Sequence, residues 1–343
     1  MLTSPSQNFL LFTLWLICFC CIDQVDLVPE KNRLEAVSIN GKIVKGNPSV
    51  VSVLVQPIFA FSAESRAVTP VSEIYLENED GQRYDIENQL AIGQYEQVID
   101  PTFEITYDQK YRLVVRLIDG SIYESSLVQV LPSIPIQSLD FEVVQRDLPN
   151  LSTGNLEPRD FIQYQLTTPL AQNSSSEKAY LHWKTLKTNR FFIATGAECY
   201  ATQAANVNYI GIFNGNRTTR DTLIDFPFFS ELINNSFLFT DTYYFTILQE
   251  TVSEEVYQYW REVDLSANRN GNVFESAAGL VRTNISNATG VVDDVQGFFY
   301  ATEQSRLRIR ICPSDLGLSL QGQICDGCFC QSTAPPDFWE ACN

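Results

Sequence analysis

From Leu34 onward the chain alternates between apolar and polar positions. Leu34 to Val44 and Val50 to Gln56 carry apolar residues at every second position or in short runs, the period of a strand with one face on a core. Ser72 to Glu77 and Gln82 to Glu87 flank Glu79-Asp80-Gly81, a turn sequence. Tyr111 to Ile118 and Ser121 to Val130 flank Asp119-Gly120, a strong hairpin signal. Short strands at this spacing predict an immunoglobulin-like or transthyretin-like sandwich over residues 34–132. Leu131-Pro132-Ser133-Ile134-Pro135 breaks the pattern, and its two prolines predict a linker.

Beyond it, residues 136–311 predict a second β-rich domain. Its strands are expected over Leu139 to Gln145, Asp160 to Thr167, Ala179 to Thr185, Tyr209 to Phe213, Ser236 to Gln249 and Gln296 to Ile311. One stretch has a different period. In Thr251 to Asn268 the apolar residues Val252, Val256, Tyr259, Trp260 and Val263 recur at helical spacing, and Thr251 with Glu254 has capping-box spacing. This predicts a helix over 251–268 lying across a sheet, its aromatic face read as core rather than as a ligand box. The fold class expected is therefore mainly β, a sandwich followed by a second β-rich domain with one packed helix. Residues 312–343 read as a Cys-rich tail packed on the second domain.

Phe9 to Ile22 is a nearly unbroken apolar run, too short to span a bilayer comfortably and suited to a signal-peptide core. It ends in Cys18, Cys20 and Cys21. A lipoprotein signal peptidase cuts before an acylated cysteine and needs a small residue ahead of it. Ile17 precedes Cys18 and Phe19 precedes Cys20, whereas Cys21 follows the small Cys20. Cys21 is therefore the expected lipidation site, with residues 1–20 removed and 21–33 forming a tether. Several acyl chains suffice for stable anchoring.

Composition narrows the function classes. Of 343 residues 45% are hydrophobic and 19% charged, ordinary for a folded chain. The formal net charge of −18 is repelled by phosphate backbones, so no nucleic-acid partner is expected. The acidic turn Glu77-Asn78-Glu79-Asp80-Gly81 has Leu76 where a first calcium ligand would stand, and reads as a hairpin turn. The single histidine, His182, excludes histidine-rich metal sites, and in the alternating strand Ala179 to Lys184 it reads as a strand residue rather than a catalytic one. A glycosidase needs two facing carboxylates. Asp293-Asp294 would point to opposite sides of a strand, and no other pair stands out, so no catalytic residues, cofactors or metal are expected.

Six cysteines lie beyond the leader: Cys199, Cys312, Cys325, Cys328, Cys330 and Cys342. Cys325-x-x-Cys328-x-Cys330 with Cys342 could supply four thiolates to zinc, but in an exported chain disulfides are the better reading. Six cysteines allow about 15 pairings. A bond from Cys199 to a tail cysteine is expected, stapling the tail to the second domain. Asn150, Asn173, Asn216, Asn234, Asn284 and Asn287 are formal glycosylation sequons, which keeps a secreted eukaryotic glycoprotein as an alternative.

The order of features carries a resemblance. Ile22-Asp23 follows the lipid cysteine; Tyr111-Arg-Leu-Val-Val-Arg-Leu-Ile-Asp-Gly-Ser-Ile-Tyr123-Glu-Ser lies in the sandwich. Then come Tyr257-Gln-Tyr-Trp260, Ala278-Gly-Leu-Val-Arg-Thr-Asn284, Gly297-Phe-Phe299, Cys325-Asp-Gly-Cys328 and Pro336-Asp-Phe-Trp339. Over residues 21–340 this resembles the domain-of-unknown-function family 4249 of Bacteroidetes outer-membrane lipoproteins. The resemblance implies an outer-membrane, surface-facing location, a TonB-dependent receptor as partner, and no established reaction. The function expected is a non-enzymatic accessory or ligand-binding partner of such a receptor. The alternatives are a surface adhesin or structural lipoprotein and, further off, a carboxylate-dependent hydrolase. The aromatic segments Phe226-Pro227-Phe228-Phe229 and Phe237-Leu238-Phe239 offer either a contact surface or core.

Overall fold

A computed structural model describes residues 36–58, 70–150, 152–171, 177–193, 195–234, 237–268, 281–290, 295–319, 324 and 330–342. Nineteen strands dominate these residues. In chain order they are β1 (Val37–Lys45), β2 (Val50–Pro57), β3 (Val71–Asn78), β4 (Arg83–Asp85), β5 (Gln89–Ala91), β6 (Gln94–Val98), β7 (Lys110–Leu117), β8 (Ile122–Ser125), β9 (Val128–Gln129) and β10 (Ser138–Pro149). There follow β11 (Leu156–Pro169), β12 (Tyr180–Phe192), β13 (Glu198–Ala204), β14 (Gly211–Asn214), β15 (Thr222–Leu232), the short helix α1 (Phe237–Thr240), β16 (Tyr243–Val252) and the long helix α2 (Glu254–Ala267). The chain closes with β17 (Ile285–Asn287), β18 (Val295–Gln296) and β19 (Phe299–Ile311). The fold is mainly β with one packed helix, as the alternation predicts.

The strands form three sheets. A large one runs β13-β12-β16-β19-β1-β2-β6-β5, with β14 beside β12 and β18 beside β1. A six-stranded sheet has the order β17-β8-β7-β3-β4 with β9 on β7, and a three-stranded sheet the order β10-β11-β15. Both smaller sheets pack on the large one. Ile39, Ile43, Val51 and Val53 of β1 and β2 meet Leu76, Leu113 and Val115 of the six-stranded sheet in a first core. Trp183, Phe245 and Ile247 of β12 and β16 meet Ile162, Tyr164 and Phe229 of the three-stranded sheet in a second. Strand β19 serves both: Phe299 and Ala301 lie in the first core, while Leu307, Ile309 and Ile311 line the second. All five are odd-numbered, so they share one face of the strand.

The chain does not divide at the prolines as the sequence suggests. Ile285, Val295, Phe299 and Ala301, all beyond residue 136, complete the first core. The parallel pairing of β1 with β19, from Gly41↔Phe299 to Lys45↔Glu303, makes one sheet of the two halves. The Pro132–Pro135 segment is strapped down rather than free. Ser133 N–H donates to Glu303 Oε2 at 2.8 Å, Ile134 N–H to Thr251 Oγ1 at 3.2 Å and Ile136 N–H to Ser305 Oγ at 3.0 Å. The buried Gln249 amide donates to Ile134 O at 2.8 Å. Proline breaks the strand pattern here, yet side chains from β16 and β19 satisfy the backbone that it leaves unpaired.

Turn chemistry follows the sequence closely. Gly81 and Gly120 take positive φ in the β3–β4 and β7–β8 hairpins. Gly297, between β18 and β19, is more constrained: at φ 101° a Cβ would stand 2.0 Å from Ile39 O. The close approach lets β18 and β19 both pair with β1, and it leaves Phe298 O accepting from Gly41 N–H at 3.0 Å. Asn284 fixes the same bend, its side chain exchanging two hydrogen bonds with the Phe299 backbone at 2.8 and 2.9 Å.

Two expected elements shift. The strand expected over Ser236 to Gln249 begins only at Tyr243. Buried Asp241 interrupts the run, accepting from Arg190 at 2.8 Å and from its neighbour Thr242 N–H at 2.6 Å. The helix begins at Glu254 with Ser253, not Thr251, as its cap: Ser253 Oγ accepts from Val256 N–H. Strand β16 runs on to Val252, so Thr251 is still extended when the capping position arrives. Glu254 and Glu255 in the first turn suit the positive end of the helix.

Two disulfides hold the tail. Cys199 of β13 is bonded to Cys330, and Cys312, just after β19, to Cys342. Ser332 pairs with Tyr200, Trp339 packs on Tyr200 and Tyr244, and the Arg308 guanidinium lies 3.3 Å from the Phe338 ring centroid. Cys330 and Cys342 are thus unavailable as zinc ligands; Cys325 and Cys328 lie outside the described residues. A Cys330→Ser variant is expected to lose about 2–4 kcal/mol, because Cys199 and Cys330 are 131 positions apart and their bond removes much freedom from the unfolded chain. Denaturant titration of the oxidised proteins checks this; an unchanged midpoint would show that the tail docks without the bond.

Candidate functional site

On the face of the large sheet opposite the two cores, α2 packs across β12 and β14 and leaves a cavity of about 480 Å³ beside it. Strands β1, β2 and β6 form the cavity's floor and outer wall through Asn40, Lys42, Leu54, Tyr95 and Glu96. The helix contributes Tyr259 and Trp260. The bend at Gly297 contributes Phe298, β19 contributes Tyr300 and β12 contributes Lys184. Strand pairing brings them together. Lys42 is the register partner of Tyr300, and His182 that of Glu250.

Glu250 is the centre of this arrangement and is wholly buried. Its Oε1 accepts from Lys42 Nζ and from Gln304 Nε2, each at 2.6 Å. Its Oε2 accepts from Tyr300 OH at 3.0 Å and lies 2.9 Å from His182 Nδ1. A carboxylate can only accept, so His182 carries its proton on Nδ1. Trp260 then covers the imidazole, ring on ring, with centroids 4.8 Å apart and planes 10° from parallel. Tyr259 is fixed by donating to Asn40 Oδ1 at 2.7 Å and by packing on Phe298.

The electrostatics follow from this geometry. Burial alone would raise the Glu250 carboxyl, but the Lys42 ammonium and the His182 N–H hold it well below the usual carboxylate range. Burial lowers the His182 imidazole, against the pull of Glu250, so the ring is neutral at pH 7. Burial raises the Tyr300 phenol well above its ordinary value, with Glu250 adding to the effect, and raises Tyr259 to about 12, so both are donors. Lys184 is brought down to about 8, first by burial and then by the nearby Lys42 ammonium.

Acid is expected to weaken the fold through this cluster. His182 has a lower proton affinity when folded, so the unfolded chain takes up its proton first as pH falls through about 6.5. Glu250 acts in the same direction below about 4.5. Stability should therefore decline from near pH 6.5 downward, read as urea midpoints between neutral and acid buffers. A flat profile over that span would mean that the cluster is hydrated.

The structure places the sequence candidates differently from one another. His182 is buried as a strand residue, yet it supports the cavity from behind. The Phe226–Phe229 segment lies in β15, where Phe226 and Phe228 surround Trp183 and Phe229 is buried; Phe239 is core as well. Phe229 and Phe239 are thus core, and Phe226, Phe228 and Leu238 pack against it part-buried. Asn150, Asn216 and Asn284 use their side-chain N–H groups in hydrogen bonds within the fold. Cys21, Asn173 and Asp293-Asp294 lie outside the described residues. Lys42, Lys184, Glu250 and Tyr300 were not singled out by motif or composition. The available signal is Glu250 itself, the one charged residue of the strand Tyr243–Val252, which is buried on both faces.

No curated protein matches the sequence. The features that shape this site recur among the ordered sequence features noted above: Tyr259 and Trp260 on the helix, Asn284, and Gly297-Phe298-Phe299. A family model described as domain of unknown function (DUF4249) matches residues 22–308, and the chain belongs to that family.

Proposed function

We propose that the protein is a non-enzymatic, surface-facing outer-membrane lipoprotein, anchored through Cys21, that binds a small ligand for a TonB-dependent receptor. The observation that carries the binding role is the cavity beside α2. Aromatic walls and a few fixed polar groups are the usual build of a small-molecule site, and its volume falls in the usual range. Binding is favoured over turnover by the state of Glu250. Both its oxygens are engaged by donors, so it has neither a proton to give nor a free lone pair to act as base. The anchor and the receptor rest on the apolar leader ending at Cys21 and on the family resemblance.

Purification of the tagged full chain in mild detergent tests the partnership. A large β-barrel protein is expected to accompany it, together with an acylated Cys21 peptide by mass spectrometry. Recovery of the chain alone, with an unmodified amino terminus, would refute the reading. An adhesin would instead leave nutrient uptake intact when the gene is deleted.

A further inference from the structure

The base of the cavity carries more positive charge than its neighbours neutralise. Lys42 is committed to Glu250 at 2.6 Å. Lys184 lines the same cavity, and among the described residues no carboxylate lies within ion-pair distance of its ammonium. Glu250 has no lone pair left to offer it. Among the described residues Glu96 is the one acidic residue on the lining itself, and it is exposed on the outer wall, where water screens it. A partly buried ammonium without a counter-ion is costly, and an anion brought by a ligand removes that cost. Beside it stand Trp260, Tyr259, Phe298 and Tyr95, rings suited to cover a flat apolar body.

Resting on the ligand-binding reading above, we infer that this cavity takes a small ring-bearing organic carboxylate, its anionic end on Lys184 and its ring against Trp260 and Tyr259. A neutral analogue of the same shape would keep the ring contacts and lose the ion pair. Affinity should also fall as pH rises, because Lys184 loses its charge from about pH 8 upward. The groups facing it are Lys42 from β1, His182 from its own strand, Glu250 from β16, Tyr300 from β19, Tyr259 from α2, and Tyr95 and Glu96 from β6. His182 is neutral well below this range. Tyr259 and Tyr300 lose protons only far above it, and burial raises Tyr95 too. Lys184 therefore dominates the titration.

The test is calorimetric titration of the full chain with benzoate, indole-3-acetate and 2-naphthoate, each beside its own carboxamide, and with inorganic phosphate. At least one carboxylate should saturate a single site, with its amide and phosphate bound tenfold or more weakly. Lys184→Met should reduce that carboxylate to the level of its amide while circular dichroism shows the fold retained. Lys184→Arg should keep the preference for the carboxylate and shift its loss to higher pH. Equal binding of acid and amide, a Lys184→Met variant with its preference intact, phosphate bound as tightly as any carboxylate, or no saturation by any of the three at millimolar concentration would each overturn the inference. The receptor is scored separately. A barrel that co-purifies with a chain lacking this selectivity leaves the accessory role standing, whereas selective binding by a chain recovered alone sinks only the partnership.

Discussion

Replacing Glu250 with leucine is expected to cost about 3–5 kcal/mol of folding stability. The substitution leaves the Lys42 ammonium, 208 positions away in the chain, without its counter-ion, and strips acceptors from His182, Tyr300 and Gln304 together. A buried charge that loses its partner is far more damaging than a pair replaced as a pair. The double variant Lys42→Met with Glu250→Leu should therefore recover much of the loss. Glu250→Gln, which keeps one acceptor oxygen and gives up the charge, should fall between. Denaturant midpoints for the three variants check this. A single-variant cost under about 1 kcal/mol would place the cluster in the class of solvated surface pairs.

Gly297→Ala is expected to cost about 4 kcal/mol or more, enough to prevent accumulation of the folded chain in a marginally stable protein. The added Cβ would meet Ile39 O at 2.0 Å and Ile39 C at 2.6 Å. Neither side has room to retreat, because Ile39 is paired across to Val55 of β2 and belongs to the first core. Gly81→Ala is the matched control. It has the same sign of φ, but nothing lies within 4 Å of the new Cβ, so it should cost only the left-handed backbone penalty of about 1–2 kcal/mol. Thermal unfolding of both variants separates crowding from backbone strain. Equal losses would show that the bend at Gly297 can open.

The contrast between the two glycines also shows what sequence reveals. The hairpins at Gly81 and Gly120 are local events, governed by residues within a few positions, and they were legible. So were most strands, because period-two alternation is imposed by a nearby core face. What pairs with what was not legible. Leu131 to Pro135 reads as a linker from its prolines, and only the side chains of Gln249, Thr251, Glu303 and Ser305 make it a strap. The cavity was hidden for the same reason. Lys42 and Lys184 pass for ordinary polar positions in strands, the lone charge at Glu250 does not name its partners, and register alone brings the three together. The tail fell between these cases. Its cysteines announced covalent bonds, but only the fold chose Cys330 for Cys199 and Cys342 for Cys312.

Strand β19 has a consequence for the order in which the molecule can be completed. A ribosome releases β1 and β2 long before β19. Until Phe299 to Glu303 emerge, the outer side of Gly41 to Lys45 is an open ladder of unpaired backbone groups beside a Val-rich hairpin, a template for intermolecular pairing. The same growing chain lacks Ile285, Val295, Phe299 and Ala301, so its first apolar cluster is missing one wall. Neither half can close before β19 has emerged, and a chain still lacking it is a client for holdase chaperones. A fragment cut at the prolines near 135 inherits that open edge permanently, and expression of the whole chain is the sound route to either half.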